Sequence, residues 1–200
     1  MVTELIGGRL VLSLAITAAK IASLGFSVIP IQPTGKKPTV SWLEYQTQIM
    51  PSQTIEKSFK DGCKIAVICG EVSGGLEVID FDTLGKGDAP HFQTWANLMN
   101  DNGFGELLRR LVIAKTPSGG RHVFYRCPGH VVGNQPLARS KESVIAGDGT
   151  TKSILIETRG DRGYVLVAPS KGYEWFRGDY ESIPEVTPAE REIINGLGFE

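Results

Sequence analysis

The chain has 200 residues, 41% hydrophobic and 22% charged, with 21 basic against 22 acidic side chains and a net charge of −1. That is a globular composition on a chain long enough to bury a core as one domain. The near-neutral balance excludes a polyanion binder that works by overall basicity. Any phosphate recognition must come from local patches, for which Lys36-Lys37, Arg109-Arg110, Arg139 with Lys141, and Arg159 with Arg162 are the candidates. Cys63, Cys69 and Cys127 show no Cys-x-x-Cys spacing. This argues against a zinc ribbon or disulfide framework and points to a reduced, cytoplasmic protein. No signal peptide, membrane span, internal repeat or low-complexity tract is legible.

In chain order, apolar residues at helical spacing (Leu10, Leu14, Ile21, Leu24) predict an amphipathic first helix over 10–22. A strand over 27–31 and a loop bearing Pro and Lys follow. Residues 39–48 carry Trp42 and Tyr45, which read as core aromatics or a stacking surface. Residues 51–60 have helix-start character, with Ser52 as a cap. Strands are expected over 64–69 and 76–82, a loop over 84–89, a helix over 91–100 and a short helix over 105–111. Strands over 112–116 and 123–126 flank a Gly-Gly turn, a hairpin signal. The Gly-, Asn- and Ser-rich stretch 129–151 reads as a long, mobile loop beside the site, contacting nucleotide or template. Strands over 153–157 and 164–167 and a helix over 188–197 complete the chain.

Three of these segments carry chemistry. Leu76-Glu77-Val78-Ile79-Asp80-Phe81-Asp82 ends an apolar run in two acids. Side chains alternate along a strand, so Asp80 and Asp82 leave one face and Phe81 the other. Paired carboxylates repel unless something binds them, and such oxygen donors suit Mg²⁺ or Mn²⁺. Taken alone, Asp-x-Asp also reads as a solvated strand end. In Thr116-Pro117-Ser118-Gly119-Gly120-Arg121-His122, the glycines let a backbone approach a phosphate, and His122 faces opposite to Arg121. In Ile154-Leu155-Ile156-Glu157-Thr158-Arg159-Gly160, Glu157 and Arg159 share a face if the strand continues. They read as a surface ion pair or as a third metal ligand beside a phosphate-binding fork.

The ordered set of Ile79-Asp80-Phe81-Asp82, Thr116 to His122, Glu157-Thr158-Arg159-Gly160 and Gly163 to Ser170 resembles the bifunctional primase-polymerase (Prim-Pol) domain of the archaeo-eukaryotic primase superfamily, found on plasmids, phages and mobile elements. Gly25 to Ile31, Gly35-Lys36-Lys37-Pro38 with Trp42, and Ile65 to Gly70 followed by Ser73-Gly74-Gly75-Leu76 are similar to the family's opening. The likeness runs from about residue 18 to residue 175.

The resemblance implies an α+β fold. Its core would be like an RNA-recognition motif, with a mostly antiparallel sheet flanked by helices over about 76–185. A smaller αβ unit over about 1–75 and a terminal helix over 186–200 would complete a single catalytic domain. It implies a DNA primase and polymerase performing template-directed nucleotidyl transfer on two divalent ions, Mg²⁺ or Mn²⁺. Asp80, Asp82 and Glu157 would hold the ions, and His122 would contact the incoming phosphates. Ser118, Gly119, Gly120, Arg121 and Arg159 would complete a nucleotide site. Two departures stand out: Glu157 replaces the Asp of many relatives and reaches one methylene further, and Gly120, not Ser, stands two before His122. The implied partners are a DNA template and primer with dNTP or NTP, and no membrane. The stop at Glu200 just after a helix suggests a truncated chain or the first domain of a longer replication protein, followed by a helicase or helical domain. Two rival readings are a metal-dependent nuclease and a non-catalytic nucleic-acid-binding module on the same fold.

Overall fold

The computed structural model describes residues 3–6, 9–84, 89–145 and 151–198. The elements run β1 (Thr3–Ile6), β2 (Arg9–Leu12), α1 (Leu14–Ser23), β3 (Ser27–Ile31), α2 (Ser52–Ser58), β4 (Lys64–Ile68) and β5 (Leu76–Phe81). After them come α3 (Pro90–Asp101), α4 (Gly105–Arg110), β6 (Val112–Lys115), β7 (Arg121–Arg126), β8 (Gln135–Ile145), β9 (Thr151–Arg159), β10 (Tyr164–Leu166), β11 (Glu174–Arg177) and α5 (Pro188–Gly196). The fold is α+β. A six-stranded antiparallel sheet has the order β11-β6-β7-β5-β9-β8, a three-stranded one the order β10-β4-β3, and β1 and β2 form a hairpin.

Alternation along β5 explains how the layers assemble. Ile79 and Phe81 face one side, where Val123 and Tyr125 of β7 and Trp95 and Met99 of α3 join a core that includes Leu107 and Leu108 of α4 and Ile194 of α5. Leu76 and Val78 face the other side and pack with Phe124 and Val112 against β3, β4, β10, α1 and α2. Burial of each large apolar side chain, such as Trp95 or Phe124, contributes about 1.5–3 kcal/mol. β3 is buried along its whole length, Ser27 included. The smaller sheet draws β3 and β4 from the N-terminal part, and β10 closes its edge. The later chain thus returns to the N-terminal unit beside the end of β5.

Four sequence expectations are corrected. Residues 10–12 belong to β2, and the first helix starts after Ser13, whose hydroxyl accepts the Ile16 N–H at 3.4 Å. A side-chain acceptor at a helix start satisfies an amide that has no partner in the helix, so the serine marks a boundary and not an interruption. Ser52 is the first helical residue and not the cap. The Pro51 carbonyl instead accepts the Thr54 and Ile55 amides, both at 2.9 Å. The stretch 129–151 is not one long loop, because β8 pairs antiparallel with β9. Its register shifts repeatedly between Pro136 and Val144, which breaks the period-two pattern that would reveal a strand. β11 was not expected at all, being a short edge strand with a register shift between Trp175 and Arg177. Residues 85–88 of the loop expected over 84–89, and residues 146–150, lie outside the described residues.

Candidate active site

Strand register builds the site. Asp80 of β5 lies opposite His122 of β7 on one side and opposite Glu157 of β9 on the other. Three residues far apart in sequence thus form one row across adjacent strands, on the face shared with the smaller sheet. β9 continues through Arg159, so Glu157 and Arg159 do share that face. His122 Nε2 lies 3.5 Å from Asp80 Oδ1. The Arg159 guanidinium donates to the Glu157 carboxylate and lies 3.7 Å from Asp80 Oδ2.

Asp80, His122 and Arg159 border a cleft of about 240 Å³, lined also by Lys36, Trp42, Arg162, Tyr164 and Tyr173. Lys36 arrives from the loop after β3. Its carbonyl accepts the Tyr164 hydroxyl at 3.0 Å, which ties that loop to β10. Trp42 meets Tyr164 edge-on, with ring centroids 5.1 Å apart. Tyr173 packs beside the His122 ring at 5.9 Å.

The acids are held in different electrostatic states. Burial alone would raise the Asp80 carboxyl, but His122, Arg159 and Lys36 outweigh it and hold it at about 2. Glu157 moves upward because burial and the Asp80 charge exceed the help from Arg159 and Lys36. Burial, with the Asp80 charge behind it, pushes Tyr173 up to about 12. His122 Nδ1 is buried and has no hydrogen-bond partner among the described residues. An orphaned donor or acceptor of this kind is rare in a finished core and suits a ligand atom.

Not every expected residue joins the row. Asp82 lies just past the end of β5, where its carboxylate accepts the Leu84 N–H at 2.9 Å. Among the described residues no three His, Cys, Asp or Glu side chains form a ready ion-binding group, and Arg159 engages Glu157. The donor chemistry nevertheless fits a hard cation: Asp80 and Glu157 offer carboxylate oxygens in register, with Asp82 at the same strand end.

The turn from Thr116 to Gly120 is explained largely by its own packing. The Gly119 N–H donates to the Thr116 carbonyl at 3.0 Å, and Gly119 has φ of 87°. A Cβ on Gly120 would lie 2.4 Å from the Phe81 carbonyl oxygen, so glycine there lets the turn pass close to β5. Ser118 is exposed, its hydroxyl 3.2 Å from that of Thr116, and its carbonyl accepts the Thr83 hydroxyl at 3.0 Å. Arg121 leaves β7 on the opposite face from His122, donating to the Gly119 and Gly120 carbonyls at 2.7 and 3.0 Å. The structure therefore brings together Asp80, His122, Glu157 and Arg159, and leaves Ser118, Gly119, Gly120 and Arg121 at the rim or behind.

Sequence reasoning placed Lys36 and Arg162 only in general basic patches, and did not single out Tyr164 or Tyr173 as site residues. Gly35-Lys36-Lys37-Pro38 was a visible signal for the first, whereas nothing local marks Tyr173.

The class that emerges is an α+β protein with a cleft in which Asp80 meets His122, Arg159, Lys36 and Arg162. The family described as bifunctional DNA primase/polymerase, N-terminal, matches residues 18–190, and the chain belongs to that family. No curated protein is similar enough to match it. None of the helices among the described residues is long and apolar enough to cross a membrane.

Proposed function

We propose that the chain is a template-directed nucleotidyltransferase, a DNA primase and polymerase that makes or extends primers from nucleoside triphosphates. The observation that carries this reading is the row His122–Asp80–Glu157, set in register with Arg159 on the same face, whose members Asp80 and His122 share a cleft with Arg159, Lys36 and Arg162. A cleft that opposes acids to cations suits a triphosphate bound with divalent ions. A nuclease needs no such cationic wall, and a plain DNA-binding module gains nothing from carboxylates facing a polyanion.

Asp80 and Glu157, with Asp82 at the strand end, would hold two Mg²⁺ or Mn²⁺ ions. Such ions lower the pKa of a primer 3′-hydroxyl and neutralise a pyrophosphate leaving group. Asp80 stays ionised at neutral pH, because its cationic neighbours hold it low. Arg159 then exchanges Glu157 for phosphate oxygens, for which its planar fork is suited. Lys36 and Arg162 add charge from the cleft lining. His122, when protonated, presents one N–H to Asp80 and leaves the buried Nδ1–H for a phosphate oxygen. Template pairing supplies the sequence. We place the reaction in the cytoplasm, in the replication of a plasmid, phage or mobile element.

The test is extension of a labelled primer on a DNA template with all four dNTPs and Mn²⁺ or Mg²⁺, beside Asp80→Ala/Asp82→Ala. Extension by the wild type and none by the variant is the expected result. No extension with either ion, together with no ion-dependent triphosphate binding, contradicts the proposal.

A further inference from the structure

The row through Asp80 continues beyond the cleft. His122 lies opposite Ala114 of β6, and Ala114 lies opposite Trp175 of β11. Three strand spacings, about 14 Å, therefore separate Asp80 from β11. The register shift between Trp175 and Arg177 leaves Phe176 out of the ladder. Its neighbours are anchored inward. Trp175 packs edge-on against Phe124 at 5.3 Å, and Arg177 donates to the Leu111 and Leu108 carbonyls at 3.0 and 2.5 Å. A bulge of this sort re-aims one side chain, and here it turns Phe176 outward at 56% exposure. Among the described residues the other exposed large hydrophobics, Leu43, Ile49, Val132 and Ile145, are aliphatic.

Two cations accompany that ring. Lys115 Nζ lies 5.3 Å from its centroid and the Arg121 guanidinium carbon 5.8 Å. Lys115 and Arg121 are register partners at the end of the β6–β7 hairpin, next to the turn that passes the end of β5. A half-exposed ring beside two cations offers a stacking face and charge for the flanking phosphates. Single-stranded nucleic acid has the complementary pattern, an unstacked base between two phosphates, whereas duplex DNA keeps its base faces covered.

We propose that Phe176, Lys115 and Arg121 form a contact for single-stranded DNA, which holds the unpaired template as it crosses the strand ends toward the cleft. The template role rests on the polymerase reading above, while the binding itself can be measured without it. This assignment also gives Arg121 a role that its side of the sheet permits, on template phosphates and not on the triphosphate.

The experiment is fluorescence anisotropy of a labelled oligothymidylate against the full chain across a salt series, with circular dichroism of each variant. Phe176→Ala should weaken binding about tenfold, the scale of one base–aromatic stack. Lys115→Gln should weaken it and lower the slope of log K against log salt by about 0.7. Glu174→Gln should tighten binding, because Glu174 is the acid opposite Lys115 in register, and a misfolded variant does not bind better. Calorimetric binding of a dNTP with Mn²⁺ should be unchanged in Phe176→Ala. Wild-type affinity in Phe176→Ala, parallel loss of triphosphate binding, or no single-strand binding by the wild type would each overturn the proposal. A chain that binds the oligomer through Phe176 yet never extends a primer refutes the polymerase reading and leaves the DNA contact standing. A chain that extends primers while Phe176→Ala binds DNA normally does the reverse.

Discussion

Two acids three residues apart on β5, Glu77 buried and Asp80 half-buried, have opposite surroundings. On the face covered by helices, Glu77 is 0% exposed. Arg191 donates to it from Nε at 2.7 Å and from its second terminal nitrogen at 2.9 Å, and the Tyr125 hydroxyl lies at 2.7 Å. The Tyr125 hydroxyl also lies 2.9 Å from Asn195 Oδ1, so helix α5 closes over a satisfied network. On the cleft face, Asp80 has His122 at 3.5 Å and Arg159 at 3.7 Å, with a second acid, Glu157, in register beside it. Both acids face cations, so the sign of their neighbours does not separate them. Saturation does: Glu77 has the short partners a buried carboxylate needs, whereas the Asp80 row leaves His122 Nδ1 unpartnered and Glu157 raised.

The contrast can be broken from either side. Glu77→Leu removes the charge at similar volume and leaves Arg191 buried without its partner. Urea unfolding should show a loss of about 3–5 kcal/mol, and Glu77→Leu/Arg191→Met should recover most of it. Asp80→Asn should lower the unfolding midpoint less than Glu77→Leu does and leave the chain folded, while primer extension falls about 10²–10³-fold, as for loss of one transition-state contact. If Asp80→Asn unfolds the chain, or Glu77→Leu abolishes extension without loss of stability, the two acids have been assigned the wrong way round.

Smaller effects sharpen the same comparison. In the ion-free protein the Glu157 carboxyl is raised, so its ionised form disfavours the folded state. The penalty is absent below the ordinary carboxylate range and grows as pH rises through the raised value. Glu157→Gln should therefore raise Tm at neutral pH, with no gain in acid, although it removes a proposed ligand. Asp80 has the opposite sign, its contribution being present above the ordinary value and lost as pH falls through about 2. Thr187 and Glu190 form a capping box at the start of α5, the helix that carries Arg191. Thr187→Ala should cost about 1 kcal/mol by urea unfolding and leave extension unchanged.

Much of the cleft face was legible because its residues end apolar runs. Alternation placed Asp80 opposite in direction to Phe81, and Glu157 with Arg159, and both placements hold. Register was not legible, since nothing local says that Asp80 meets both His122 and Glu157. The same limit hid Glu77, whose partner Arg191 is 114 residues away. β8 escaped because an edge strand with shifting register keeps no period. Gly120 was visible as a special position, but the nearby Phe81 carbonyl, which a Cβ there would meet at 2.4 Å, was not. Lys36 reaches the acids only because β10 joins the smaller sheet and binds the Lys36 carbonyl through Tyr164, a contact across 128 residues.

The most direct test of the central claim, that the cleft-face acids hold catalytic ions, is a calorimetric titration of Mn²⁺ into the chain with a non-hydrolysable dNTP present. Wild type and Glu77→Leu/Arg191→Met should take up about two ions per chain, while Asp80→Asn and Glu157→Gln lose that uptake and remain folded. Equal uptake by wild type and Asp80→Asn, or none by the wild type, would contradict the account.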